Sequence, residues 1–127
     1  LTERRLLQIA VAVGSLVPII AGAAGMVSGL AMVAVNGAAS ADSHFRYLSG
    51  LLLGIGIAFA TTIPGIERHT TRFRVLTGIV VVGGAGRLMS LLLRGAPDAA
   101  MLAALAMELV VTPALALWQA RVAGRYS

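Results

Sequence analysis

The chain has 127 residues, of which 58% are hydrophobic and 12% charged, with a formal net charge of +5 and no cysteine; its mean hydropathy is +0.92. A soluble domain carries about 25% charged residues, so a water-soluble body is excluded, and the length instead suits about four membrane spans of roughly 20 residues each. Without cysteine or lysine, disulfides, thiolate metal sites, cysteine nucleophiles and Schiff-base chemistry are excluded, and arginines set at the ends of apolar segments speak for anionic lipid head groups and against nucleic acid.

Behind the polar start Thr2-Glu3-Arg4-Arg5, a first apolar segment runs from about Leu6 to Val35. It exceeds the 7–15 residues of a signal-peptide core and is expected to be a span, kinked at Pro18 and breaking near Gly29. The polar stretch Asn36 to His44 is expected to connect it to a second span, about Phe45 to Ile63, ended by Pro64-Gly65. A charged loop, Ile66 to Arg72, leads to a third span from about Phe73 to Leu93. Gly95-Ala96-Pro97-Asp98 is a tight turn in which Gly95 closes one helix and Asp98 caps the next, a fourth span from about Ala99 to Ala120. Trp118 is expected at head-group level, with Arg121 and Arg125 beyond it.

The arginines orient the set. Arg4, Arg5, Arg68, Arg72, Arg74, Arg121 and Arg125 fall on one side, Arg46 and Arg94 on the other. The positive-inside bias then places both termini in the cytoplasm. The expected fold is all-α, an integral membrane four-helix bundle forming a single transmembrane domain over residues 1–127.

Arg87 lies deep in the third segment and Glu108 deep in the fourth. Either charge costs roughly 2.5–3.5 kcal/mol at a bilayer centre by insertion scales, so two of opposite sign on consecutive spans point to each other or to a common ligand. Counted from the turn between them, their depths differ by about 3 Å. Two readings stand level: a salt bridge that pins the register of the hairpin, and a ligand anchor or proton-handling site.

Gly83, Gly84 and Gly86 precede Arg87, and Ser90 follows it by one turn; Gly50 and Gly54 make a small-xxx-small pattern on the second span, extended by Gly56. Close helix packing is the first reading of these glycines, and a backbone lining a narrow cavity is the second. Gly83-Gly84-Ala85-Gly86 does not suit a phosphate loop, since no strand precedes it. Arg46 opens the second span beside Tyr47 and reads first as an interfacial anchor; with Asp42 and His44 it offers an entrance for an anionic or amphipathic ligand. His44 and His69 fall on opposite sides and cannot jointly hold a metal, and with neither near Glu108 and no serine on a nucleophile turn, no catalytic triad is expected.

Arg46-Tyr47-Leu48-Ser49-Gly50 leading into Leu53-Gly54-Ile55-Gly56, then Ile66-Glu67, Arg74, Gly83-Gly84-x-x-Arg87-Leu88-x-Ser90, Gly95, Pro97, Glu108-Leu109 and Pro113 resemble the DUF4345 family of bacterial membrane proteins. The resemblance covers nearly the whole chain and implies a four-helix membrane protein, broadly similar to the DoxX-like small membrane proteins, of unknown function.

Three function classes follow. The first is binding or carrying a lipid or other small amphipathic ligand at a polar core of Arg87, Glu108, Ser90 and Arg46. The second is an accessory subunit or homo-oligomer of a larger membrane complex, docked through glycine faces such as Gly50, Gly54, Gly83 and Gly84. The third is a membrane enzyme using Glu108 as acid or base. No cofactor is expected, and the expected setting is the bacterial inner membrane, among membrane lipids.

Overall fold

A computed structural model of the protein describes residues 2–29, 39–95 and 98–126. These residues are all-α, with no strand among them. Four helices are long and apolar enough to cross a membrane: α1 (Glu3–Ser28), α2 (Ala39–Ala60), α3 (Thr70–Arg94) and α4 (Ala99–Tyr126). At 1.5 Å per residue α1, α3 and α4 run to roughly 37–42 Å, so their polar ends overreach a hydrocarbon layer of about 30 Å.

Several boundaries differ from the expected ones, each for a local reason. Helix α2 begins at Ala39, so Ala39 to His44 are helix rather than connection. Asp42 in its first turn complements the helix dipole and pairs with Arg46 one turn on. Helix α1 ends at Ser28, and Gly29 takes a left-handed φ of 68° that costs glycine nothing. The expected continuation to Val35 and the residues Asn36 to Ala38 lie outside the described residues, as do Ala96 and Pro97. Ile66–Arg68 is a short 3-10 turn, entered through Gly65 at φ 66°, and α3 starts at Thr70. Ile66, expected in a polar loop, is fully buried.

Helix α4 continues six residues past Ala120 and changes pitch within its length. Residues Ala99–Ala106 are α, Met107–Val111 are π, and Thr112–Tyr126 are α again. Pro113 explains the change. A proline has no N–H to give, and its ring would press on the carbonyl four residues back, here Leu109. Widening the preceding turn relieves that clash. The Thr112 N–H reaches back five residues to Met107 O, and the Thr112 hydroxyl donates to the same carbonyl at 2.8 Å.

The chain falls into two compact units: residues up to Gln8 together with everything from Pro64 on, and Ile9–Ile63. In the Ile9–Ile63 unit, α1 and α2 run antiparallel and approach backbone to backbone. A Cβ on Gly22 would stand 2.5 Å from the Leu53 nitrogen and 2.6 Å from the Ser49 carbonyl oxygen, and one on Gly56 would meet Ile19 and Pro18. Gly25 likewise faces Ser49. The close approaches are therefore at Gly22, Gly25 and Gly56. Gly50 meets only Met26 at ordinary contact distance, and Gly54, expected to pack, has open space beside it.

In the other unit α3 and α4 are antiparallel. Leu7, Ile66, Phe73, Leu76 and Val122 are its buried apolar residues, and Gln119 is buried among them.

Candidate functional site

The site grows from the seam between α3 and α4. On α3, Thr70, Thr77 and Gly84 recur every seven residues, two helical turns, and so share one face. Thr70 and Gly84 both meet α4. The Gln119 amide nitrogen donates to Thr70 Oγ1 at 3.0 Å, and a Cβ on Gly84 would lie 2.8 Å from Leu109 Cδ2 and 3.0 Å from Glu108 Cβ. Gly84 is thus where α4 rests on the α3 backbone; the space a side chain would need there is taken by Leu109 and Glu108, not by a cavity. Gly83 and Gly86 differ from it: both are exposed, and a Cβ on either would meet nothing within 4 Å.

One turn beyond Gly84, Arg87 reaches Glu108. Arg87 Nε lies 2.7 Å from Glu108 Oε1, with the two side chains 35% and 15% exposed. Oε1 sits off the N–H direction: it is in ionic contact but accepts no well-directed hydrogen bond. Arg87 Nη1 points instead at the Met101 sulfur, 3.0 Å away. The turn fixes this geometry. Gly95, at φ 89°, donates to Leu91 O and closes α3, while the Asp98 carboxylate accepts the Met101 N–H at 2.9 Å and opens α4. Asp98 therefore sets the position of the residue whose sulfur faces Arg87. The pair is not central in α3: Arg87 is seven residues before Arg94 and seventeen after Thr70, which puts it roughly 10 Å from the end next to the turn.

Ser90, on the same helix face as Arg87, is exposed and stands outside the ion pair. Arg46 belongs to the Ile9–Ile63 unit and is engaged there. Its Nε meets Asp42 Oδ2 at 2.9 Å, and its Nη1 donates to the carbonyls of Met26 and Val27 at 2.8 and 3.0 Å. These are among the last carbonyls of α1, which have no partner within the helix. Arg46 closes that end. His44 is exposed, its ring 6.5 Å from that of Tyr47. Among the described residues no three His, Asp or Glu side chains gather as a metal site would require.

A second polar cluster, which the sequence reading passed over, lies in the unit of α3 and α4, at the end away from the Gly95 turn. Glu3 accepts the Trp118 indole N–H at 3.2 Å and pairs with Arg121 at 3.1 Å and Arg125 at 2.7 Å. Arg4 pairs with Glu67 at 2.7 Å; this bond above all, aided by the backbone, holds the Glu67 carboxyl below its ordinary range. The start of α1 and the end of α4 are thereby at one end of the unit. Beside them Gln119, 0% exposed, donates to Ile66 O at 2.9 Å as well as to Thr70. The available signal was spacing: Gln119 stands seven residues after Thr112, and Thr112 four after Glu108, one polar line along an apolar helix.

No curated protein and no solved structure matches the chain. A model of the DUF4345 family, a domain of unknown function, matches residues 6–119. That span takes in all of α2 and α3, most of α1 and α4, and both members of the Arg87–Glu108 ion pair, and the chain accordingly belongs to the DUF4345 family.

Proposed function

We propose that this multi-pass membrane protein binds a lipid or other small amphipathic ligand, with Arg87 taking the ligand's anionic head. One observation carries the reading: Arg87 remains about a third exposed despite its ion pair, and the α3 surface beside it is bare. Gly83, one turn before it, leaves a notch in that surface, and Ser90, one turn after it, adds a hydroxyl. A charge held within the hydrocarbon by a single carboxylate and a thioether has donor capacity left for a phosphate or carboxylate head. The acyl chain would follow the backbone exposed at Gly83.

Native mass spectrometry of protein extracted in gentle detergent tests this. The unaltered protein should carry an amphipathic molecule, and Gly83→Leu, which fills the notch without touching a charge, should lose it while keeping its helicity. Gly84 does not serve for this test, because a leucine there would collide with α4.

The same bare face supports a second reading, an accessory subunit or homo-oligomer. Gly78, Gly83 and Gly86 each have open space where a Cβ would stand, and small residues are where membrane helices dock. If the unaltered protein travels without a ligand but as a dimer or larger, and Gly83→Leu breaks that assembly, the second reading replaces the first.

The setting we infer is the bacterial inner membrane, with both termini in the cytoplasm. The seven-to-two division of arginines supports this, as does the pairing of Glu3 with Arg121 and Arg125 across the two chain ends. A cysteine at Ser43 should react with an impermeant thiol reagent in intact cells and one at Thr71 should not. The reverse pattern would overturn the topology.

A further inference from the structure

Arg87 and Glu108 already cancel each other. Nε stands 2.7 Å from Oε1, so the pair carries no net charge. Along α3 and α4 the next charges toward the turn are Arg94, seven residues from Arg87, and Asp98, ten from Glu108 and engaged as the α4 cap. The remaining charges of the unit belong to its other end. Arg74 and Arg121 each stand thirteen residues away, and His69, Arg72, Arg125, Tyr126 and the cluster around Glu3 and Glu67 lie beyond them. Along the helix axes these separations are roughly 10, 15 and 20 Å or more, too far to change the balance at the pair.

The site is also deep. From Arg74 to Arg94 is twenty residues, or about 30 Å of helix, the thickness of the hydrocarbon layer. Arg87 then lies roughly 10 Å inside that layer. Its guanidinium is held there by Glu108 and by the Met101 sulfur. Among the described residues its Nη2 has no partner, and about a third of the side chain is exposed. An incoming head therefore meets a free pair of N–H donors, but no surplus of positive charge.

That balance discriminates between head groups. A phosphodiester or sulfonate stays ionised, and beside a cancelled pair it would leave one net negative charge in hydrocarbon, which is expensive. A carboxylic acid can bring its own proton. The site then holds one guanidinium, two carboxyl groups and one proton, and it remains neutral; two carboxyls sharing a site do not both ionise readily. We propose that the ligand held at Arg87 is a long-chain carboxylic acid bound together with its proton, and that Glu108 selects this head by cancelling the charge of Arg87. The inference rests on the reading of Arg87 as a ligand anchor and narrows the head to one chemistry. No covalent bond forms or breaks beyond the O–H of the acid, whose proton stays on one of the two carboxyls.

Decanoic acid and decane-1-sulfonate have chains of equal length, and only the first can carry a proton. Equilibrium dialysis in a neutral detergent compares them, with binding taken as the excess over Gly83→Leu so that partition into the detergent cancels. At pH 7 the unaltered protein should bind decanoic acid roughly tenfold or more tighter than the sulfonate, the difference that one uncompensated charge makes at this depth. Because the neutral acid is the form bound, its apparent Kd should rise about tenfold per pH unit above the pKa of the free acid, while that of the sulfonate stays flat. Glu108→Gln leaves Arg87 a bare cation, so in this variant the sulfonate should bind at least as well as the acid and the slope should vanish. Where Glu108→Gln fails to fold, the slope of the unaltered protein decides alone. Equal affinities for the two amphiphiles, or a decanoic acid affinity indifferent to pH, would overturn the proposal and leave Arg87 as the anchor of a permanently ionised head. Binding of neither would overturn the anchor as well.

Discussion

Helices α1 and α2 are joined by what their residues lack, helices α3 and α4 by what theirs carry. In the first pair Gly22 brings backbone against backbone, Gly56 lies against Ile19 and Pro18, and Gly25 takes the Ser49 side chain. In the second pair one glycine, Gly84, takes the Leu109 and Glu108 side chains, and polar bonds join the helices besides: Gln119 to Thr70 and Ile66, Arg87 to Glu108 and Met101. Lipid tails are as apolar as leucine, so neither pair gains from hiding apolar surface from its neighbour. Close van der Waals packing and polar bonding are the two remaining ways to hold helices together in that solvent, and this chain uses one in each pair. The first needs no ionisable group. The second places titratable and hydrogen-bonding atoms within the membrane, where chemistry or recognition can use them.

The comparison breaks most severely at the ion pair. Glu108→Ala leaves Arg87 without its counter-charge and should destabilise the protein in detergent by on the order of 3–5 kcal/mol. Arg87→Ala should act similarly. The double variant should lose less than the sum of the two, because the interaction is removed only once; strict additivity in thermal melts would show that the contact contributes nothing.

Gly22→Leu is the matching test of the glycine seam. Its side chain meets main-chain atoms of Leu53 and Ser49 that cannot swing aside, so a loss of about 1–3 kcal/mol is expected, the usual range for overpacking. Gly54→Leu, on the same pair but facing open space, should stay within about 0.5 kcal/mol of the parent, as surface changes do. Equal melting shifts for the two leucines would remove the distinction between packed and bare glycines.

The Asp98 cap comes next. Asp98→Ala removes the acceptor for the Met101 N–H and should cost about 1 kcal/mol. Through Met101 it should also loosen Arg87, so any ligand that Arg87 retains should be held less tightly in this variant.

The smallest effect is expected from acid. The Glu67 carboxyl is held below its ordinary range by Arg4, so its pair contributes stability above pH of about 4.5 and loses it as pH falls through the lowered value. Glu67→Gln should flatten that part of a stability-against-pH curve while leaving melting near neutrality little changed.

The readable part of this protein was the part set by solvent. A run of some twenty apolar residues has few fates other than a membrane helix, and Gly95 with Asp98 announced a helix end and a helix start by their own chemistry. Helix ends built from ordinary residues were misplaced. Ala39 to His44 looks like a connection by polarity, yet Asp42 and Arg46 support a helix by pairing one turn apart. Arg46 looked like part of a polar core because it is charged and near a span, and only the path of α1 reveals the open carbonyls of Met26 and Val27 that occupy it.

By itself the sequence determined the class, the four apolar helices and the matched distance of Arg87 and Glu108 from the turn between them, since each follows from composition and from rise per residue. Which glycines are packed and which bare was decided by the tertiary structure alone. Gly83 and Gly84 are neighbours in sequence and indistinguishable by type, yet a helix turns successive residues about 100° apart, so one rests on Leu109 and the other faces outward. The docking of α3 on α4 likewise decided that Gln119 meets Thr70 and Ile66 at one end of the seam while Glu108 meets Arg87 nearer the other.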